Sequence, residues 1–487
     1  MSEIQNIMII MCDQLRASAL GCYGNKVVKT PWIDKLAQDG VVFENAYTQT
    51  PVCIPARYGL TAGLNPCRMG LWENQGKPPK IKNPLPRLLR DAGHHTCAVG
   101  KMHYNPARAH YGFERRYVSE EVPEHIADDD YLEFLADHGY GNIEEPNGQR
   151  SERYYVPQIS PLPPEMHTTG WTGMMSCDFI RKNQNRPFFL FSSFIKPHPP
   201  FDPSDRYLVM YEGLEMDKPL PETALTGKDL SIWIQNGYKV NGEENLTPEK
   251  IEELRRYYYA CITQVDDQIG NIICQLKKLG LYEKTLIIFT SDHGEMLGDH
   301  RCVGKRCFYE GSCHIPMVLS CPALLKGGQR RKQLATLEDV YATLLDAAET
   351  AVPKETEGVS LLPACRDPEA VTHEVIYGGN GDGPVQKYFL MTEEWKYMYF
   401  INGGYEVLFH RTTDPQEERN VAEEEAQLCM RFRNMYKVWV VKNKIEDVLV
   451  NGEFQKNPAA QPFNIGFLNQ KPAWPDTRLF MPERDGK

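Results

Sequence analysis

Short apolar runs alternate with segments of helical periodicity along most of this chain. The clearest strand-like runs are Ile7–Met11, His95–Val99, Phe188–Ile195 and Leu286–Thr290. Apolar residues recur at helical spacing in Trp32–Gln38, Pro84–Ala92, Pro248–Leu279 and Leu337–Ala348. This alternation predicts an α/β fold in which a large, mainly parallel central sheet is flanked by helices.

The pattern changes near residue 371, where a smaller unit is predicted to begin. Three short strands and then a helix follow, at Lys387–Met391, Lys396–Ile401, Glu406–His410 and Ala422–Asn443. Turn residues between the strands favour antiparallel pairing. We therefore expect three parts: a catalytic α/β domain over 1–370, a small α+β subdomain over 371–450, and an extended arm over 451–487. The arm is rich in Pro and Asn, and it could reach a neighbouring subunit and make a homo-oligomer.

Polar side chains cluster where each of the four strand-like runs ends. The clusters are Asp13-Gln14, Gly100-Lys101-Met102-His103, Lys196-Pro197-His198 and Ser291-Asp292-His293-Gly294. In open parallel sheets, ligands bind outside the carboxyl ends of the strands. The sequence therefore predicts that carboxylates, a lysine and histidines from four strands meet along one rim.

Composition narrows the class of protein. The chain has 487 residues, of which 41% are hydrophobic and 24% are charged, as is usual for a globular protein. Its net charge of −11 argues against broad binding to nucleic acid, although a local basic pocket remains compatible with it. No apolar run approaches the ~20 residues of a membrane span, so we expect no membrane partner.

The N-terminus and the cysteines bear on the compartment. The first residues lack the basic start and the small-residue cleavage site of a signal peptide, which predicts a cytoplasmic protein. The 14 cysteines show no regular zinc spacing. In a reducing compartment most of them would be free thiols.

Cys53 stands apart from the other cysteines because of its neighbours. The stretch Cys53-Ile54-Pro55-Ala56-Arg57 has the cysteine–x–proline–x–arginine pattern that sulfatase-maturing enzymes read when they oxidise the cysteine to Cα-formylglycine. Pro55 suits the first turn of a helix, where its missing N–H costs nothing. The modified residue would then lie at a helix N-terminus, where free N–H groups favour an anion. Taken alone, the pentapeptide is equally compatible with a buried structural thiol.

Together the motifs resemble those of the type I, formylglycine-dependent sulfatases of the alkaline phosphatase superfamily. The resemblance is carried by Asp13-Gln14, Cys53–Arg57, Gly100–His103, Pro197–Pro199, Ser291–Glu295, Gly298–His300, Lys305, Glu310, Ile315–Met317, Trp395–Tyr397 and Asp414–Asn420. It implies a sulfatase fold, a small sulfated substrate and maturation by a formylglycine-generating enzyme.

The resemblance also implies one divalent cation, calcium in most of the family. Its ligands here would be Asp13, Gln14, Asp292, His293 and the formylglycine made from Cys53. Oxygen-rich ligation suits calcium or magnesium. Many family members have an aspartate and an asparagine where this chain has Gln14 and His293. The substitution removes negative charge and softens the site, so manganese is a reasonable alternative.

Catalytic roles follow from the same resemblance. Arg57, Lys101 and Lys305 would neutralise the sulfate oxygens. His198, with Lys305, would protonate the leaving alkoxide. His103 would take a proton from the second hydroxyl of the aldehyde hydrate, which expels sulfate and restores the aldehyde.

Two enzymatic functions remain open at this point, with a third of another class. The first is hydrolysis of a sulfate ester on a small imported carbohydrate, for which a glycosaminoglycan-derived 2-O-sulfated uronate is our specific expectation. The second is hydrolysis of a phosphonate monoester or a phosphodiester by an enzyme of the same superfamily. A non-catalytic anion-binding protein is disfavoured because the set of acid, base and metal ligands is complete.

Overall fold

The computed structural model of the protein describes residues 4–74, 79–123, 125–150, 155–223, 229–240 and 242–459. Its strands are β1 (Asn6–Asp13), β2 (Gly40–Tyr47), β3 (His95–Gly100), β4 (Arg115–Val118), β5 (Phe188–Pro197), β6 (Thr285–Ser291), β7 (Met317–Ser320), β8 (Gln329–Thr336), β9 (Ile376–Asn380), β10 (Lys387–Met391), β11 (Trp395–Phe400), β12 (Tyr405–His410), β13 (Leu449–Val450) and β14 (Glu453–Phe454). Its α-helices are α1 (Pro31–Gln38), α2 (Cys53–Ala62), α3 (Leu85–Asp91), α4 (Asp130–Asp137), α5 (Thr168–Lys182), α6 (Asp205–Leu208), α7 (Leu230–Val240), α8 (Pro248–Lys278), α9 (Glu310–Cys313), α10 (Asp339–Ala347), α11 (Leu362–Arg366) and α12 (Ala426–Asn443).

A large sheet runs through the middle of the molecule, with the strand order β4-β3-β5-β1-β6-β7-β2-β8. Strand β7 is antiparallel to both of its neighbours, and the other described pairs are parallel. The predicted α/β fold with a mainly parallel central sheet is thus confirmed. Strand β1 lies between β5 and β6, so the polar ends of β1, β3, β5 and β6 share one edge.

Both faces of the sheet are covered, which is why its central strands are apolar on both sides. On β1, Met8 and Ile10 belong to a core shared with α1, α5 and α8. Ile7 and Ile9 face the opposite way, into a core shared with α2, α3 and α10. The alternation places helices on each side and leaves the strand ends free to build a site.

The smaller unit is a four-stranded antiparallel sheet with the order β12-β11-β10-β9, as predicted for the C-terminal part. Helix α12 shares a core with this sheet. The helix starts at Ala426, four residues later than the sequence predicts. At the start of the predicted arm, β14 pairs with β13, which belongs to the preceding subdomain as predicted from the sequence. The arm residues 460–487 lie outside the described residues.

Buried lysines of the small sheet contact connecting segments of the large domain. Lys396 of β11 makes ion pairs with Glu310 and Glu417. Lys387 of β10 pairs with Asp229 at 2.9 Å and donates to the carbonyl oxygen of Arg306 at 2.7 Å. The small sheet therefore holds the segment that contains residues 305–310. None of the helices described is long and apolar enough to cross a membrane.

Candidate active site

Cys53 is the first residue of α2, with Pro55 in the first turn as the sequence predicts. The preceding residue, Val52, is extended, so the helix begins abruptly at the cysteine. The Cys53 side chain is buried and its Sγ atom lies 3.7 Å from Asp13 Oδ1 at the end of β1. The helix N-terminus thus delivers the cysteine to the rim where the strands end.

Four predicted metal ligands come together at this point. One ligand atom from each of Asp13, Cys53, Asp292 and His293 lies within 4.8 Å of the others, and all four side chains are buried. His293 Nδ1 is 3.1 Å from the carbonyl oxygen of Gly294, and a proton on Nδ1 satisfies this contact. That tautomer leaves the lone pair of Nε2 directed at the cluster, as in metal-binding histidines.

The two carboxylates share positive partners. Arg57 pairs with Asp13 at 3.1 Å and with Asp292 at 2.8 Å, while Lys101 pairs with Asp13 at 2.6 Å. Burial and the neighbouring charge of Asp13 raise the pKa of Asp292. Burial and Cys53 oppose the ionisation of Asp13, but Lys101, His198 and Arg57 hold its pKa below its usual value. Two buried carboxyl groups with an imidazole nitrogen form a donor set that fits a divalent cation.

Gln14 is held with its oxygen toward the same cluster. Its Nε2 donates to Tyr155 Oη at 3.1 Å and to the carboxylate of Glu295, while its Oε1 accepts from Lys305 Nζ at 2.8 Å. Lys305 Nζ is also 3.0 Å from Cys53 Sγ. Tyr155 and Glu295 therefore fix the amide of Gln14, the amide contacts Lys305, and Lys305 contacts Cys53.

The surroundings of Cys53 favour a negative charge. Burial alone would raise the pKa of the thiol, but Lys101, Lys305 and His293 outweigh burial and hold the pKa well below its usual value. If residue 53 is converted to formylglycine, as the resemblance implies, the sulfur stands in for the oxygen atoms of the aldehyde hydrate. The same cations would stabilise an anionic oxygen there.

The two predicted proton-transfer histidines both lie at the site. The side chain of His103 lies beside Cys53, where it helps to lower the pKa of the thiol, and its backbone N–H donates to Glu120 Oε1 at 2.9 Å. His198 Nδ1 is 2.7 Å from the carbonyl oxygen of Pro199, which leaves Nε2 facing Glu121 Oε2 at 3.4 Å. Burial lowers the pKa of His198 to about 4, so an acid role requires the negative charge of a bound substrate to raise it.

Sequence reasoning missed Glu121, which contacts two of the predicted catalytic residues. Its carboxylate forms ion pairs with Lys101, Arg150 and His198. Burial opposes its ionisation, but Arg150, His198 and Lys101 hold its pKa well below the usual value. It comes three residues after β4, whose half-exposed sequence Arg115–Val118 gave no strand signal.

Lys196, in the polar cluster at the end of β5, does not face solvent. It is buried and forms an ion pair with Asp202. Its Nζ donates to the carbonyl oxygens of Asn147 at 3.2 Å and Pro200 at 2.7 Å. The lysine therefore fixes the loop that carries His198.

The sequence is similar to two protein families and to proteins of known sequence. The family described as Sulfatase matches residues 5–350, and the family described as N-sulphoglucosamine sulphohydrolase, C-terminal, matches residues 298–439. The chain is 30% identical over 438 residues to an arylsulfatase of Clostridium perfringens, across 86% of this chain and 90% of the relative.

Solved structures share the fold. The phosphonate monoester hydrolase of Agrobacterium radiobacter matches with a TM-score of 0.76 and 24% identity, over 93% of this chain and 99% of its own. A protein described as a 2-O GAG sulfatase matches with a TM-score of 0.69 and 20% identity, over 94% of this chain and 99% of its own.

Proposed function

This chain belongs to the sulfatase family and is a sulfuric ester hydrolase, and we propose that its substrate is a small sulfated carbohydrate bearing a 2-O-sulfated uronate. The proposed catalytic role of residue 53 rests on one observation. Buried Cys53 contacts Lys305 at 3.0 Å and His293 at 3.2 Å, beside two carboxylates. The Cys53–Arg57 motif suits conversion to formylglycine by a formylglycine-generating enzyme, and this buried setting is where the modified residue would act. The sulfate group would then meet its nucleophile among fixed positive charges.

The side chains of the site divide the work of hydrolysis. Arg57, Lys101 and Lys305 neutralise the three sulfate oxygens that would otherwise repel a nucleophile. His198 gives a proton to the departing sugar oxygen, which becomes a neutral hydroxyl. His103, in contact with residue 53, accepts the proton whose removal allows the sulfate to leave.

Asp13, Gln14, Asp292 and His293 would hold the divalent cation together with residue 53. When bound, the cation supplies positive charge that polarises the sulfate and favours ionisation of the nucleophile. We propose calcium, because carboxylate and amide oxygens dominate the donor set. Manganese is the alternative, because His293 contributes a nitrogen.

The choice of a uronate rests on the surroundings of the site. Arg150, which pairs with Glu121 beside Lys101, lies in a segment inserted between β4 and β5. Inserted loops at the carboxyl edge of a sheet usually set substrate choice. A structural neighbour described as a 2-O GAG sulfatase shares this fold. An arginine near the reacting centre would complement the carboxylate of a uronate.

A panel of sulfated disaccharides, assayed for released sulfate, tests the substrate. The panel contains an unsaturated uronate with 2-O-sulfate and glucosamines with 6-O- or N-sulfate. We expect kcat/KM to be at least about tenfold higher for the uronate, which a well-placed charged contact readily supplies. Equal or greater activity on a glucosamine sulfate would contradict the uronate assignment.

The second candidate is hydrolysis of phosphonate monoesters. The Gln14 and His293 pair favours it, because the pair resembles the residues of such hydrolases at these two positions. The similarity of the fold to the Agrobacterium radiobacter enzyme also favours it. Nitrophenyl sulfate and a nitrophenyl phosphonate monoester, compared at equal concentration, separate the two. A preference for the phosphonate would replace sulfate hydrolysis as the main activity.

A further inference from the structure

The loop that carries Lys305 lies against helix α7, and side chains of that helix hold its backbone. Asn236 donates to the carbonyl oxygen of Arg301 at 2.8 Å and accepts from the N–H of Val303 at 3.2 Å. Residues 301–306 belong to neither sheet nor α-helix. Their backbone groups are therefore held by individual contacts, some from α7 and others from Glu295 and from turns within residues 296–304.

Gln235 forms hydrogen bonds with the backbone N–H and the carbonyl oxygen of Lys305. Its Oε1 accepts from the Lys305 N–H at 3.0 Å, and its Nε2 donates to the Lys305 carbonyl oxygen. Gln235 is only 3% exposed, so these hydrogen bonds do not compete with bulk water. One amide thus fixes both sides of the residue whose Nζ reaches Cys53.

The fit between the helix and the loop depends on a glycine. Gly304 has φ +88°, and a Cβ at this position would overlap Gln235 Oε1 and Lys239 Nζ. The missing side chain leaves room beside the loop for the ends of Gln235 and Lys239. On the other side of Lys305, Lys387 holds the carbonyl oxygen of Arg306 at 2.7 Å.

We propose that Gln235 is a positioning residue that sets the reach of Lys305 toward the sulfate group. The inference rests on the proposed role of Lys305 in the hydrolysis. Lysine is a flexible side chain with a compact charge, so the placement of its backbone decides where the ammonium group can lie. A displacement of about 1 Å in such a group can cost about 100-fold in rate.

A double-mutant cycle on nitrophenyl sulfate turnover tests this role. Gln235→Met keeps the volume of the side chain and removes both hydrogen bonds. We expect it to lower kcat/KM by about 10- to 100-fold in the Lys305 enzyme and by less than about threefold in the Lys305→Ala enzyme. A merely structural loss would lower activity by the same factor in both backgrounds, and that result would overturn the proposal.

Asn236→Leu is the matched control, because it removes a similar two-point contact one residue along the same helix. We expect it to cost less activity than Gln235→Met at a similar loss of thermal stability. If Gln235→Met does not fold, Gln235→Glu replaces it in the cycle, since the carboxylate keeps one acceptor for the Lys305 N–H. An equal effect of the Asn236 variant would overturn the specific role of Gln235.

The same data separate this inference from the proposed function. Full activity of Lys305→Ala would contradict the role of Lys305, and the role of Gln235 with it. A strong loss in Lys305→Ala with unchanged activity in the Gln235 variants would overturn the positioning role alone. Wild-type enzyme that fails to hydrolyse the aryl sulfate would instead contradict the proposed function.

Discussion

The charged side chains of the site are buried next to side chains of opposite charge. Proteins tolerate buried charges only when they are paired in this way. Asp13 touches both Arg57 and Lys101, and Asp292 touches Arg57. Cys53 lies between these groups and Lys305. A single substitution here leaves a partner buried and uncompensated, so variants should be judged on folding as well as on turnover.

Metal binding should depend on both aspartates. Asp13→Asn and Asp292→Asn keep the volume of each side chain and remove a charge that a hard cation needs. We expect each variant to lose bound metal, measured by elemental analysis of the purified protein, together with activity. Stoichiometric metal retained in both variants would show that these residues are not the ligands.

His198 should matter most when the leaving group is poor. A sugar alkoxide needs a proton to depart, whereas a nitrophenolate leaves without one. His198→Ala should therefore lower turnover of a sulfated sugar by about 10²- to 10⁴-fold and turnover of nitrophenyl sulfate far less. Equal losses on the two substrates would indicate that His198 only binds the sulfate group.

At the scale of elements, strands with strong apolar runs could be predicted and polar or irregular elements could not. Strands β1, β3, β5 and β6 are apolar runs with polar ends, and the sequence predicted each of them. Strand β8 has the sequence Gln-Arg-Arg-Lys-Gln-Leu-Ala-Thr and was not predicted. It lies at the edge of the sheet, where charged residues protect an exposed strand and hide its apolar pattern. Helix α7 was missed as well, so Gln235 could not be connected with Lys305 before the fold was known.

The same limit applies to α5 and to Glu121. Helix α5 contains Gly170 and Gly173, which weaken helical propensity. A Cβ at Gly173 would overlap Gln268 of α8, so close packing between the two helices explains the glycine. Glu121 reaches Lys101 only through the folding of an inserted segment. Neither contact leaves a periodic signal in the sequence.

The contact between α7 and the Lys305 loop predicts a specific cost at Gly304. Gly304→Ala introduces a Cβ that overlaps side chains of α7 at a positive φ, whereas Gly280→Ala meets a similar positive φ with nothing within 4 Å. We expect Gly304→Ala to lower the free energy of unfolding by about 1–3 kcal/mol more than Gly280→Ala in urea titrations. Equal losses would show that the ends of Gln235 and Lys239 move aside without cost, and would contradict a tight fit between these side chains and the loop.

At the scale of the whole molecule, the small sheet supports the site of the large one. Lys387 of β10 holds Arg306, and Lys396 of β11 pairs with Glu310. Both contacts lie within five residues of Lys305. The whole chain has a net charge of −11, yet several cationic side chains lie around Cys53. An anionic substrate would dock beside them.

The central claim is that residue 53 carries the reaction. The rate of nitrophenyl sulfate hydrolysis by Cys53→Ala, compared with the wild-type enzyme at equal concentration and with thermal unfolding checked, tests it most directly. The account predicts a loss of at least about 10³-fold with the fold retained, because the nucleophile itself is removed. Turnover within about tenfold of the wild-type rate would contradict the account.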